Sequence, residues 1–240
     1  MPGFYFIDII KQINFPFVLY HQTKLKMKTG IIGSGQVGQV LAKAFKSEGH
    51  DVTLGTRDIS KADVVKFNTE TGIAAANFSD TAASADLIVL ATKGTAAKEA
   101  LHLAGAENLS GKIIIDATNP IAEAPPVNGV LQFFTTLDKS LMEDLQHEFP
   151  QAHFVKAFSC VGNALMYKPN LPGGTPTMFI CGNNTDAKKT VTDILTSFGW
   201  ETEDMGTAEA ARAIEPLCML WCIPGFLKND WMHAFKLLKA

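Results

Sequence analysis

The stretch Lys28-Thr29-Gly30-Ile31-Ile32-Gly33-Ser34-Gly35-Gln36-Val37-Gly38 constrains the fold of this chain more than any other. A short apolar run breaks into Gly-x-Gly-x-x-Gly, and Val37, Val40, Leu41, Ala44 and Phe45 then recur at i, i+3, i+4, i+7 and i+8. That spacing makes one buried helical stripe, so the stretch reads as strand, tight turn and helix N-terminus. The glycines divide the work: Gly33 permits the turn, Gly35 lets backbone approach a pyrophosphate, and Gly38 lets the helix sit close to its strand. Backbone N–H groups at the helix start would face phosphates, which makes Gly33, Ser34, Gly35, Gln36, Val37 and Gly38 candidate cofactor contacts.

With 19 glycines in the chain, the bare pattern arises by chance roughly 0.1 times per chain, so its context carries the weight. His50-Asp51-Val52-Thr53-Leu54 reads as the second strand and ends in Gly55-Thr56-Arg57-Asp58. The tip of that strand chooses the dinucleotide, because Asp or Glu there binds the ribose of NAD, whereas a hydroxyl and an Arg suit the 2′-phosphate of NADP. Thr56 and Arg57, with Lys61 one helical turn on, therefore point to NADP(H). Asp58 lies past Arg57 and reads as a helix cap or first-turn acid instead of a ribose ligand.

The length and the 47% hydrophobic content allow a sizeable core in one large domain with a small appendage. A net charge of −3 without a long basic run gives no electrostatic reason to expect nucleic acid. Cys160, Cys181, Cys218 and Cys222 form no C-x-x-C pair and read as reduced, mostly buried residues of a cytoplasmic protein. The scattered histidines predict no metal centre. Residues 1–26 are aromatic-rich, but Asp8 and Lys11 interrupt any signal-peptide core, and with Pro16 they argue against a membrane span. They are expected to be an N-terminal extension ahead of a nucleotide-binding domain that starts at Met27.

From Met27 strand and helix alternate, the pattern of an α/β, doubly wound, mainly parallel Rossmann sheet. Helices are expected over 59–69, 95–104, 137–149 and 186–198. Strands are expected over 86–92, 112–116, 153–158 and 177–181, with 200–205 as an edge strand. The domain is expected to end near Gly206, leaving 207–240 as a small helical C-terminal part. There Ala208 to Cys222 is helical around Pro216, Pro224-Gly225 ends that helix, and Leu227, Trp231, Phe235 and Leu238 form a stripe on a final helix. Two of the three tryptophans lie in this tail, and interface cores favour aromatics, so a homodimer is expected.

Ligands of an open α/β sheet sit beyond the carboxyl ends of its strands. The loops there read Ala91-Thr92-Lys93-Gly94, Ala117-Thr118-Asn119-Pro120 and Ser159-Cys160-Val161-Gly162-Asn163. Small neutral polar residues dominate, which suits a flat ring stacked on backbone; Ala91, Thr92, Lys93, Asn119, Pro120 and Ser159 are the candidate contacts. Ser159 could donate to a nicotinamide carboxamide, Lys93 could meet a phosphate or stay solvated, and Asp116 reads as a structural acid. No nucleophile–base–orienter set is evident, so no catalytic side chain is assigned.

Gly55-Thr56-Arg57 with Lys61, Phe154-Val155-Lys156-Ala157-Phe158, Ile180-Cys181-Gly182, Asp204-Met205-Gly206 and Glu215-Pro216-Leu217 together resemble the coenzyme F420-dependent NADP oxidoreductase family. The resemblance runs from Met27 to about Leu238. It implies a Rossmann domain, a helical C-terminal part that helps form the acceptor pocket and the dimer, and Thr56, Arg57 and Lys61 around the 2′-phosphate. It also implies hydride transfer between NADP(H) and a small acceptor, F420 or a flavin such as FMN or FAD, with the rings held face to face. The Asp116 to Pro120 loop looks more like bacterial and metalloreductase-type relatives than like archaeal F420 enzymes. The competing expectation is a non-catalytic NADP(H)-binding sensor, motivated by the lack of an identifiable catalytic side chain.

Overall fold

A computed structural model describes residues 26–239; the expectations for the N-terminal extension lie outside them. Six strands form one parallel sheet in the order β3-β2-β1-β4-β5-β6. They are β1 (Lys28–Ile32), β2 (Asp51–Gly55), β3 (Ala74–Ala76), β4 (Leu87–Leu90), β5 (Ile113–Asp116) and β6 (His153–Lys156). The order reverses between β1 and β4, and this switch point is where such sheets open a crevice at the strand ends. All four residues of β4 are buried, which explains why its sequence is continuously apolar instead of alternating.

The helices α1 (Gln36–Ser47), α2 (Ala62–Thr71), α3 (Phe78–Ser84), α4 (Gly94–Ala104), α5 (Ala106–Leu109) and α6 (Leu141–Glu148) follow in the first part of the chain. α1 buries Gly38, Leu41, Ala42, Ala44 and Phe45, the stripe expected from its spacing, with Val37 and Val40 half-buried at its edge. Successive strand residues feed opposite cores: Ile31, Val89, Ile115 and Val155 pack on one face, and Ile32, Leu90, Ile114 and Phe154 on the other. β3, α3 and α5 have no counterpart in the sequence reading. Ala74, Ala75 and Ala76 have weak strand propensity, and β3 exists because Thr53, Leu54 and Gly55 of β2 pair with them; here pairing overrides local preference.

Beyond β6 the chain builds a second, two-stranded parallel sheet from β7 (Thr177–Ile180) and β8 (Glu201–Asp204), joined by α7 (Thr185–Ser197). A single antiparallel bridge, Lys156 to Cys181, connects it to β6. The sixth sequence-derived strand thus starts a new small sheet. A helical run follows, made of a 3-10 turn (Ala208–Ala210), α8 (Ala211–Ile214) and α9 (Leu217–Lys228). By length and composition alone, Ala208–Lys228 could cross a membrane. In this structure Ala208, Ala211 and Ile214 join the core formed with Leu141 and Met142.

The tail differs from expectation. α9 continues through Pro224 and Gly225 and stops at Lys228, where Asn229 takes the left-handed conformation of a helix C-cap. Residues 229–239 are not helical, so the stripe of Leu227, Trp231, Phe235 and Leu238 does not exist as a helix face. Pro224 lies inside α9, where it has no N–H to donate to the Leu220 carbonyl one turn earlier. The tail folds back: Trp231 covers Gly225 so closely that a Cβ there would lie 2.2 Å from the indole. It then runs beside β7, where Thr177 donates its N–H to the Phe235 carbonyl at 2.9 Å.

Candidate functional site

The turn after β1 is shaped by crowding. Gly33 has φ +126°, and a Cβ there would meet the Ala91 carbonyl oxygen at 2.5 Å; a Cβ on Gly38 would lie 1.9 Å from the Gly33 oxygen. Gly35 is the contrast, because nothing lies within 4 Å of where its Cβ would be. It is also the N-cap of α1 and supplies no side-chain cap, so the first N–H groups of α1 look into open space. Ser34 Oγ donates to Thr56 Oγ1 at 3.1 Å, which ties this turn to the tip of β2.

A cleft of about 410 Å³ lies at these strand ends, walled by Gly33, Ser34, Gly35, Thr56, Arg57, Asp58, Lys61, Ala91, Thr92 and Lys93. The structure therefore gathers most of the expected cofactor contacts in one place. Gln36, Val37 and Gly38 are not on its wall: they form the first turn of α1, with Gln36 exposed and Gly38 buried. Thr56 is buried, and its hydroxyl accepts from Ser34 and sits 3.3 Å from both the Asp58 N–H and the Asp58 carbonyl. It shapes the tip more than it presents a free hydroxyl. Arg57 is exposed. Lys61, the N-cap of α2, is also exposed and pairs with Asp63 at 2.9 Å.

Asp58 accepts from the Ser60 N–H at 2.8 Å and the Ser60 hydroxyl at 2.6 Å. These bonds hold its carboxyl below the usual carboxylate range. It closes the turn before α2, but Lys61 is the N-cap and Asp63 the acid of the first turn, so Asp58 is neither the helix cap nor the first-turn acid expected from the sequence.

Asn119, Pro120 and Ser159 lie beyond the cleft wall, at the ends of β5 and β6. Asn119 Nδ2 donates to the Ser159 carbonyl at 2.7 Å, locking the two loops together. Phe158 reaches this loop with φ +62°, a left-handed conformation that a bulky residue rarely adopts. Its ring is buried at 1% exposure, and its N–H points to Met178 Sδ at 3.2 Å. Packing therefore holds the backbone kink that turns Ser159 toward the strand ends. The buried side-chain atoms Thr92 Oγ1, Asn119 Oδ1 and Ser159 Oγ have no hydrogen-bond partner. They belong to the loops after β4, β5 and β6 respectively.

Beneath these loops is a group that sequence reasoning missed. Lys156 Nζ contacts Asp116 Oδ2 at 2.7 Å, Glu215 Oε1 at 2.8 Å and the Thr118 carbonyl at 3.0 Å. The ammonium thus has three oxygens within 3.0 Å, and the three ionic side chains are at most 1% exposed. Burial pulls the ammonium toward neutrality, but the two carboxylates outweigh it and raise its pKa above the ordinary value. Asp116 Oδ1 accepts from the Thr118 N–H at 2.9 Å and its hydroxyl at 2.6 Å. Glu215 accepts from the N–H groups of Leu141 and Met142, both at 3.0 Å, and so caps α6. A lysine inside the apolar run Phe154 to Phe158 was the available signal, since a charge there must find buried partners.

Acid–base chemistry has little to work with here. Asp116 is occupied by Lys156 and Thr118, Lys93 is exposed at the N-cap of α4, and burial pushes the Cys160 thiol up to about 12.

The parallel sheet with its switch point, the glycine turn and the cleft over it define a Rossmann-type dinucleotide-binding protein. The sequence profile described as "NADP oxidoreductase coenzyme F420-dependent" matches residues 28–120. A crystal structure from Arthrobacter sp. FB24, provisionally named an F420-dependent NADP reductase, superposes with a TM-score of 0.83 at 34% identity, covering 89% of this chain and all of that one. The chain belongs to the coenzyme F420-dependent NADP oxidoreductase family. Among curated relatives, metalloreductase STEAP3 of Rattus norvegicus is 30% identical over 83% of this chain. The F420-dependent NADP reductase of Methanocaldococcus jannaschii is 30% identical over 48% of it. The matches span only 39% and 51% of those two proteins.

Proposed function

We propose that this chain is an NADP(H)-dependent oxidoreductase that passes a hydride between the nicotinamide and a small acceptor, a deazaflavin or flavin-like ring foremost. The observation that carries the reading is the row of unpartnered buried atoms, Thr92 Oγ1, Asn119 Oδ1 and Ser159 Oγ. A buried polar group without a partner costs about 1–3 kcal/mol. Three of them at the ends of adjacent strands, next to a cleft floored by a glycine turn, fit the carboxamide and ribose of a nicotinamide nucleotide. At the other end the open space over Gly35, the uncapped start of α1 and the exposed Arg57 suit the pyrophosphate and the 2′-phosphate.

Bound NADPH would supply the hydride. The residues supply orientation: Ser159 and Asn119 fix the ring plane, and Ala91 and Pro120 leave its face free of charge. With Cys160 held neutral and Asp116 engaged by Lys156, the side chains here offer proximity and alignment in place of proton transfer. The relatives' names supply F420 as one acceptor class to try, the family resemblance adds flavin, and the neutral loops also suit a small carbonyl compound. A cytoplasmic homodimer, with the aromatic C-terminal part at its interface, completes the reading.

Stopped-flow oxidation of NADPH against F420, FMN, FAD and a set of carbonyl compounds tests it. Turnover with one of them is expected. Tight NADPH binding without turnover across the panel would favour a sensor of the NADP(H) pool instead. Arg57→Ala should weaken NADPH binding about 10- to 100-fold and leave NADH unchanged, and equal NADPH affinity in the variant would remove the 2′-phosphate assignment.

A further inference from the structure

The ion triad is poorly explained by stability alone. Burying three charged groups costs desolvation that their mutual attraction only partly returns, and apolar side chains of similar volume fill such a space at no greater cost. What the triad does uniquely is connect three elements at one atom. Lys156 ends β6, Asp116 ends β5, and Glu215 comes from the junction of α8 and α9. Two of its members hold the backbone on either side of Thr118: Lys156 binds the Thr118 carbonyl, and Asp116 binds its N–H and hydroxyl. The next residue is Asn119, whose Nδ2 is fixed on Ser159 and whose Oδ1 is unpartnered.

The geometry points to Lys156, Asp116 and Glu215 as positioning residues: we propose that docking of the C-terminal helical segment, through Glu215, sets the Thr118–Pro120 loop and with it the grip of Asn119 on the nicotinamide end of the cofactor. This inference rests on the cofactor reading of the cleft. Glu215 is well placed for the task because its carboxylate spans Lys156 and the start of α6. Arg212, one turn earlier, forks onto Glu143 in the first turn of α6. The segment that resembles an acceptor-pocket appendage is thus also the far anchor of a loop on the nucleotide side. The dinucleotide's phosphate end, held by the α1 start and Arg57, has no contact with this network.

Two ligands separate the ends of the cleft. Adenosine 2′,5′-bisphosphate probes the phosphate end alone, and NADPH probes both. In Glu215→Gln, which keeps the size and one acceptor of the side chain, NADPH affinity should fall about 5- to 10-fold, the equivalent of one hydrogen bond. Bisphosphate affinity should stay within about twofold. Hydrogen exchange of the unliganded variant should quicken in residues 117–135 and stay unchanged in 33–47. A general loss of stability would instead weaken both ligands and loosen both segments, and that result overturns the proposal, as does unaltered NADPH affinity. Arg57→Ala is the control with the opposite pattern, weakening both ligands. If the parent protein binds neither ligand, the reading of the cleft falls by itself. The exchange comparison then still decides whether Glu215 holds the 117–135 loop.

Discussion

The two ends of the cleft are built on opposite principles. At the end we assign to the phosphates the polar groups are left open: α1 starts without a side-chain cap, Gly35 faces empty space, and Arg57 is exposed. At the end we assign to the nicotinamide, just beyond the cleft wall where β5 and β6 finish, the polar groups are buried and cross-linked, from the Asn119–Ser159 bond down to the triad on Lys156. An open end suits a ligand that brings its own charge, because phosphates need donors and little else. A locked end suits a neutral ring, whose orientation must come from rigid walls since no ion pair can hold it.

If the locked end is locked by charge, removing one charge should do the greatest damage. Lys156→Met strands two buried carboxylates and should cost about 3–5 kcal/mol of stability, read as a lowered midpoint in urea. Neutralising the carboxylates as well, in Lys156→Met with Asp116→Asn and Glu215→Gln, should recover a good part of that loss. A triple variant no more stable than the single one would mean that the triad's role is packing rather than charge.

The open end has its own pair of tests. A Cβ on Gly38 runs into the Gly33 carbonyl at 1.9 Å, and backbone cannot step aside as a side chain can, so Gly38→Ala should cost about 3 kcal/mol. Gly35→Ala meets nothing and should leave stability within about 0.5 kcal/mol. Its added methyl stands where phosphate would approach, so NADPH affinity should still drop, measured by fluorescence titration. Loss of stability in Gly35→Ala would show that the space over the turn is not reserved for a ligand.

The same contrast explains what the sequence revealed. The open end is made of neighbours in the chain: a glycine turn, a helix stripe and a strand tip, each with its own periodicity or spacing, so Gly33 through Lys61 could be read locally. The locked end is made of residues far apart. Asp116, Lys156 and Glu215 each look like an ordinary charge near an apolar run, and only the fold makes them one group. The alanines of β3 carry no strand signal because β2 imposes their conformation. The tail misled for the related reason that Trp231 and Phe235 keep helical spacing with Leu227, while their packing is set by Gly225 and Thr177.

A milder probe of the locked end is the pair outside the triad. Arg212 holds the Glu143 carboxyl down to about 2, with further help from Ser140. A carboxyl depressed in the folded state contributes stability above its unfolded pKa and loses it as pH falls through the folded one. With Arg212 partly exposed to screening solvent, Arg212→Gln should lower the urea midpoint modestly at neutral pH. The difference from the parent should shrink between about pH 4.5 and pH 2, followed by urea unfolding across that range. A deficit independent of pH would place the effect of Arg212 in packing of its stem.

The smallest expected effect falls on Asp58, and it bears on which dinucleotide the open end selects. An acid at the tip of the second strand is the usual mark of an NAD site, and Asp58 is one residue past Arg57. Its oxygen Oδ1 is taken by the Ser60 N–H and hydroxyl, so turning it toward a ribose would break two short bonds on an exposed surface for one new one. Asp58→Ala should therefore change NADPH and NADH affinities by less than about twofold each and leave the urea midpoint almost unmoved. A selective loss of NADH binding would show that the turn opens in the complex and that the two dinucleotides are told apart by Asp58 and Arg57 together. An unchanged ratio leaves the choice to Arg57, an exposed cation on the cleft wall at the tip of β2.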